Sequence, residues 1–211
     1  MKIFDLSLYV VLDPDLCRSV GVVETARLAA EGGATMIQLR DKRADRTSLI
    51  ETGKALKAAL AGYGIALIVN DDVEAALEIG ADGVHVGQED MSAAAARLAI
   101  GERLILGLSV ETAQLMRDVD PAIVDYVGVG PVFATGTKPD HKQPVGLEGL
   151  AHIVSVSPVP AVAIGGLKME HAASVIAAGA AGLAVVSAVC GTPDPRSAAR
   201  ALIQEIEKAR P

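Results

Sequence analysis

The chain has 211 residues, 51% of them hydrophobic but only 2% aromatic, and a formal net charge of −7. This length supports one domain, residues 1–211, with a full core, and the core must be built from Ala, Val, Ile and Leu. The acidic balance argues against nucleic acid or an anionic membrane as the main partner, because both reward basic surfaces; small phosphorylated ligands stay open, since local donors hold them. No apolar run approaches a membrane span, and Met1–Asp5 lacks a secretory pattern. Cys17 and Cys190 lie in no CxxC pattern and read as reduced thiols of a cytoplasmic protein.

Taken in order, short apolar runs alternate with segments of helical spacing. Leu8–Leu12 is the first predicted strand, closed by Asp13-Pro14. Gly21–Glu31 has helical spacing and ends at Gly32-Gly33, a helix-stop signal. Strand Thr35–Leu39 and helix Arg46–Ala61 follow, then strand Ile65–Val69 and helix Asp72–Ile79. Strand Gly83–Val86 precedes the alanine-rich helix Ser92–Ile100. Strand Leu104–Leu108 leads to helix Glu111–Val119, and strand Tyr126–Val129 to helix Leu147–Val154. Strand Ala161–Ile164, helix Met169–Ala178, strand Leu183–Val186 and helix Pro195–Lys208 complete the chain. Similar joints recur at Glu31-Gly32-Gly33-Ala34, Glu78-Ile79-Gly80-Ala81 and Ala178-Gly179-Ala180-Ala181. Eight alternating units with short connections predict an α/β fold, a (β/α)8 TIM barrel; an open doubly wound sheet is the alternative.

In a parallel barrel the chemistry sits where strands end. The period of two after the second strand puts Gln38, Arg40 and Lys42 on one side, an amide and two cations suited to a polyanion. Asn70 and Asp71 follow the third strand, with Asp72 a candidate helix cap. His85 to Asp90 follow the fourth. Asp71 and Asp90 on adjacent loops form a candidate Mg²⁺ site, since that ion takes few protein oxygens plus ligand phosphates; alternatively Asp90 caps the alanine-rich helix. His85 reads as a structural histidine before a general base. Ser109 ends the fifth strand, as a helix cap or a ligand donor. The sixth leads into Gly128-Val129-Gly130-Pro131-Val132-Phe133-Ala134-Thr135-Gly136-Thr137-Lys138, glycines followed by two hydroxyls and a lysine. Backbone N–H groups freed by glycine, threonine hydroxyls and an ammonium are natural partners of phosphate oxygens. Gly165-Gly166 and Val186-Ser187 follow the last two strands, the common phosphate cradle of this fold.

Gln38-Leu39-Arg40-Asp41-Lys42, Asn70-Asp71, Gly83 to Asp90, Gly130 to Phe133 with Thr135 to Lys138, Ile164-Gly165-Gly166 and Val185 to Ala188 together resemble the thiamine-phosphate synthase family along the whole chain. The resemblance implies a transferase that joins a hydroxymethylpyrimidine diphosphate to a thiazole phosphate and releases pyrophosphate. It implies that Gln38, Leu39, Arg40, Asp41, Lys42, Asn70, Ser109 and Lys138 hold the pyrimidine diphosphate. Arg40, Ser109 and Lys138 would serve the reaction itself. Asp71 and Asp90 would hold Mg²⁺, and Thr135, Gly136, Thr137, Gly166, Val186 and Ser187 the thiazole phosphate. The implied partners are small phosphorylated heterocycles, in a chain that can also pair with its own copies. Ala134 departs from the family's usual proline. Glu170-His171 departs from its usual Glu-Asn, on a helix expected to lie away from the site. Rival readings are a thiazole tautomerase, a noncatalytic phosphate-binding barrel and a sugar-phosphate isomerase. The tautomerase carries a histidine where this chain has Pro131 and tends to lose the acidic pair.

Overall fold

A computed structural model describes residues 4–135 and 143–210. Its strands are β1 Leu8–Leu12, β2 Met36–Leu39, β3 Ala66–Asn70, β4 Gly83–Val86, β5 Ile105–Val110, β6 Tyr126–Val129, β7 Ala161–Ile164 and β8 Gly182–Val185. The helices behind them are α1 Val22–Glu31, α2 Arg46–Ala59, α3 Val73–Ile79, α4 Ala93–Ile100, α5 Ala113–Arg117, α6 Gly146–Ser155, α7 Ala172–Ala177 and α8 Pro195–Ala209. The strands pair in parallel in chain order, and β8 pairs with β1 to close the expected barrel.

Alternation along each strand sorts the apolar residues into two bodies. Leu8, Val10 and Leu12 of β1, Ile37 and Leu39 of β2, and Val84 and Val86 of β4 point outward and meet the helices. Tyr9, Met36, Ile68, Ile105, Tyr126, Val162 and Ala184 point inward and fill the barrel. Burying each Val or Leu of the outer layer contributes ~1.5–3 kcal/mol, which is how a chain so poor in aromatics still builds a core. At the end of the barrel away from the strand C-termini, Arg97 ties connections together. It donates to the carbonyls of Gly101, Leu104 and Ile123 and to Asp125 at 2.7 Å.

Several element ends differ from the sequence reading for local reasons. β3 runs on to Asn70 because Asn70 sits in register with His85. β8 starts at Gly182, in register with Val162, and stops before Val186. α5 starts only at Ala113, because the Thr112 side chain caps it by accepting from Leu115 N–H; Glu111 is released to the rim. The helix expected from Met169 begins as one 3-10 turn, Met169–His171.

Candidate active site

Asp72 does cap its helix, accepting from Ala75 N–H, which leaves Asp71 to face the rim. Asp71 is the non-glycine residue with left-handed backbone among those described (φ 62°), a conformation Asp tolerates better than most residues. Asn70 Nδ2 donates to its carboxylate at 2.6 Å, and Lys42 Nζ lies 3.5 Å away. Asp90 does not cap α4; Ser92 does, accepting from Ala95 N–H. Asp90 instead accepts from Gly87 N–H at 2.9 Å and stands beside Asp71. Burial first, and then the neighbouring Asp90 carboxylate, push the Asp71 carboxyl up to about 6, against the pull of Lys42.

At the C-terminal ends of the strands a cavity of about 310 Å³ opens, and all eight strands or the loops after them contribute to its wall. Gln38, Arg40 and Lys42 line it together, as the period of two requires, with Asn70, His85, Asp90 and Ser109. Thr135, Gly165, Gly166, Val186 and Ser187 close the other side. Arg40, Lys42, Asp90, Thr135, Gly166 and Ser187 therefore share one mouth. Leu39 faces the helices instead, and the Asp41 carboxylate accepts from Arg43 and Ala44 N–H, shaping its own loop. Neither of those two residues lines the cavity. Gly136, Thr137 and Lys138 lie outside the described residues.

Ser109 is not a helix cap: its hydroxyl meets His85 Nε2 at 2.9 Å. His85 is buried and also meets Tyr126 through Nδ1, so it is held on both ring nitrogens while forming part of the cavity wall. Gly107 makes room for this pair, because a Cβ there would run into the Tyr126 ring and His85 Nδ1. Loop six is laced to loop seven: Val132 N–H donates to the Ile164 carbonyl and Phe133 N–H to the Gly165 carbonyl. Gly166 turns with φ 65°, and a side chain there would strike the Phe133–Ala134 backbone. His171, expected away from the site, stacks on Phe133 with ring centroids 4.3 Å apart and so braces that loop from behind.

Tyr9, Gln88 and Glu111 also line the cavity, and the sequence reading gave none of the three a role. Tyr9 was legible in principle, since it alternates inward with Val11. Glu111 was hidden by a helical pattern that begins two residues too early. Among the described residues no group of three or more His, Cys, Asp or Glu could hold a metal ion. Two carboxylates pressed together remain, a set of hard oxygen donors suited to Mg²⁺ only with ligand oxygens completing the shell.

A family model described as thiamine monophosphate synthase matches residues 8–189. The thiamine-phosphate synthase of Azorhizobium caulinodans is 48% identical over 207 residues, covering 98% of this chain and 98% of the relative. That of Moorella thermoacetica is 44% identical over 203 residues, covering 96% and 97%. The solved thiamine phosphate pyrophosphorylase of Pyrococcus furiosus matches with a TM-score of 0.88 at 39% identity, covering 97% of this chain and 96% of that one. Likeness of this degree, from end to end of a barrel whose phosphate-type loops gather at one mouth, establishes that the chain belongs to the thiamine monophosphate synthase family.

Proposed function

We propose that the chain is a thiamine-phosphate synthase, joining a hydroxymethylpyrimidine diphosphate to a thiazole phosphate in this cavity and releasing pyrophosphate, together with CO2 where the thiazole phosphate is carboxylated. The observation that supports the site assignment is the sharing of one mouth by Arg40, Lys42, Asp90 and the loop seven and eight glycine and hydroxyl groups, with Asp71 set against Asp90 and Lys42. Gln38, Arg40, Lys42, Asn70 and Ser109, with Lys138, hold the pyrimidine diphosphate. Thr135, Gly136, Thr137, Gly166, Val186 and Ser187 hold the thiazole phosphate. Asp71 and Asp90 would hold Mg²⁺, whose chemistry is to neutralise charge growing on the departing diphosphate.

The C–O bond from the pyrimidine methylene to the diphosphate breaks, and its electron pair leaves with pyrophosphate. The thiazole nitrogen then supplies the pair for the new C–N bond to the pyrimidine carbocation. Arg40 at the cavity wall would offer positive charge to the leaving group, and Lys138 is assigned the same role, since such stabilisation in a site outweighs what water gives. No protein nucleophile is needed; positioning two rings in a dry pocket is the main task. Pro131 stands where the tautomerase carries histidine, and the acidic pair is intact, so that reading is not favoured. A plain binder of the thiazole phosphate has no use for the pair. The unlinked thiols of Cys17 and Cys190 support a place in the cytoplasm.

The test is to incubate the purified protein with both phosphorylated heterocycles, with and without Mg²⁺, and to follow products by mass spectrometry. Thiamine phosphate forming only when both heterocycles and Mg²⁺ are present is expected. Its absence under all conditions, with the protein folded, would refute the assignment.

A further inference from the structure

Five side chains from five strands join into one hydrogen-bonded string under the cavity. Gln38 Nε2 donates to Tyr9 Oη at 2.6 Å. Tyr9 Oη lies 2.9 Å from Tyr126 Oη, and Tyr126 Oη lies 3.0 Å from His85 Nδ1. His85 Nε2 lies 2.9 Å from Ser109 Oγ. Tyr9 and Tyr126 are 1% and 0% exposed, and burial raises both phenols well above their ordinary range, so each keeps its proton.

A phenol hydroxyl has one proton to give, so an unbroken string runs in one of two directions. With the Gln38 amide donating to Tyr9, the unbroken direction sends the Tyr9 proton to Tyr126 and the Tyr126 proton to His85 Nδ1. Nδ1 is then an acceptor, so the ring hydrogen sits on Nε2 and is donated to Ser109 Oγ. The Ser109 proton is thereby turned away from His85, toward the cavity. A string begun from the Gln38 carbonyl would run the opposite way. It would put the ring hydrogen on Nδ1, and the Ser109 proton would point back at His85, leaving a lone pair for the ligand. An anion needs the first arrangement.

We infer that Tyr9 and Tyr126 are positioning residues: they pass the polarity of the Gln38 amide to His85 and so make Ser109 a hydrogen-bond donor to an anionic oxygen of the substrate. The identity of that oxygen, on the diphosphate, rests on the function proposed above; the polarity itself does not.

The direct test is nitrogen-15 NMR of the ligand-free protein labelled at histidine, with the His85 signals assigned by their loss in His85→Asn. Expected is a neutral ring with its hydrogen on Nε2. A hydrogen on Nδ1, or on both nitrogens at neutral pH, would overturn the inference. Tyr126→Phe then removes the donor to Nδ1, together with the acceptor for Tyr9. It should populate the Nδ1–H form and lower kcat about tenfold, the worth of roughly one net hydrogen bond, with KM for the thiazole phosphate unchanged. Unchanged kcat and an unchanged tautomer in that variant would equally overturn it. A wild-type protein with the expected tautomer but no synthase activity would count against the proposed function and leave the polarity standing.

Discussion

Asp71→Asn should make the metal-free protein more stable at neutral pH while weakening its response to Mg²⁺. The Asp71 carboxyl is lifted from 3.8 to about 6, first by burial and then by Asp90. Because the folded value lies above the unfolded one, the native state holds a proton that the unfolded chain has released between about pH 4 and about pH 6. Stability therefore falls as pH rises through that window, and the full deficit is present at pH 7. About two pH units at about 1.4 kcal/mol each give ~3 kcal/mol as an upper bound. The side chain is 28% exposed, and solvent screening brings the figure to ~1–2 kcal/mol. Asn keeps the shape, accepts the left-handed backbone and can still accept from Asn70. The pull of the half-exposed Lys42 is already contained in the value of about 6. A gain of ~1–2 kcal/mol corresponds to a Tm rise of about 2–8 °C for a chain of this size. Calorimetry in chelator at neutral pH measures it, and the same scan with Mg²⁺ and pyrophosphate should raise wild type more than the variant. A lower Tm for Asp71→Asn in chelator, or equal gains on adding Mg²⁺ and pyrophosphate, would refute the reasoning.

With Mg²⁺ below saturation, wild-type kcat/KM should fall as pH drops through about 6, because protons compete for Asp71; a profile from about pH 5 to about pH 8 that is flat across this range would remove Asp71 from the metal site. Lys138→Ala should slow the pyrophosphate-releasing step about 10²-fold and leave thiazole-phosphate affinity, read by calorimetric titration, nearly unchanged; equal losses in both would contradict its assignment to the leaving group. Gly107→Ala should cost about 1–3 kcal/mol, read as a lower urea midpoint, because its methyl meets the Tyr126 ring and His85. An unaltered midpoint would show that these two rings move aside freely.

The outer frame was legible because its signals are local. Leu8–Leu12, Gly83–Val86 and Ala161–Ile164 begin and end where apolar runs meet Ser, Pro, Asp or Gly, and the structure keeps those bounds. The same period of two carried Gln38, Arg40 and Lys42 to one wall. The period says which side a residue faces, however, and not what it meets there. Leu39 and Asp41 belong to the same stretch yet serve the helix layer and the loop. Tyr9 and Tyr126 were invisible as a pair, since 117 residues separate them and only closure of the barrel brings the hydroxyls together. The bracing of Phe133 by His171 was missed for the same reason, because packing across two loops leaves no periodic trace. Asp90 shows the limit of cap rules: Asp90 and Ser92 are both good caps, and Ser92 takes the role while Asp90 turns back to Gly87.

The account's central claim is one cavity with a diphosphate side and a monophosphate side, and a crystal structure with thiamine phosphate, pyrophosphate and Mg²⁺ bound tests it most directly. Expected is pyrophosphate against Arg40, with its metal ion on Asp71 and Asp90, and the thiamine phosphate group against Gly166 and Ser187. Pyrophosphate seated at Gly166 and Ser187, or either ligand bound outside the strand C-terminal mouth, would contradict it.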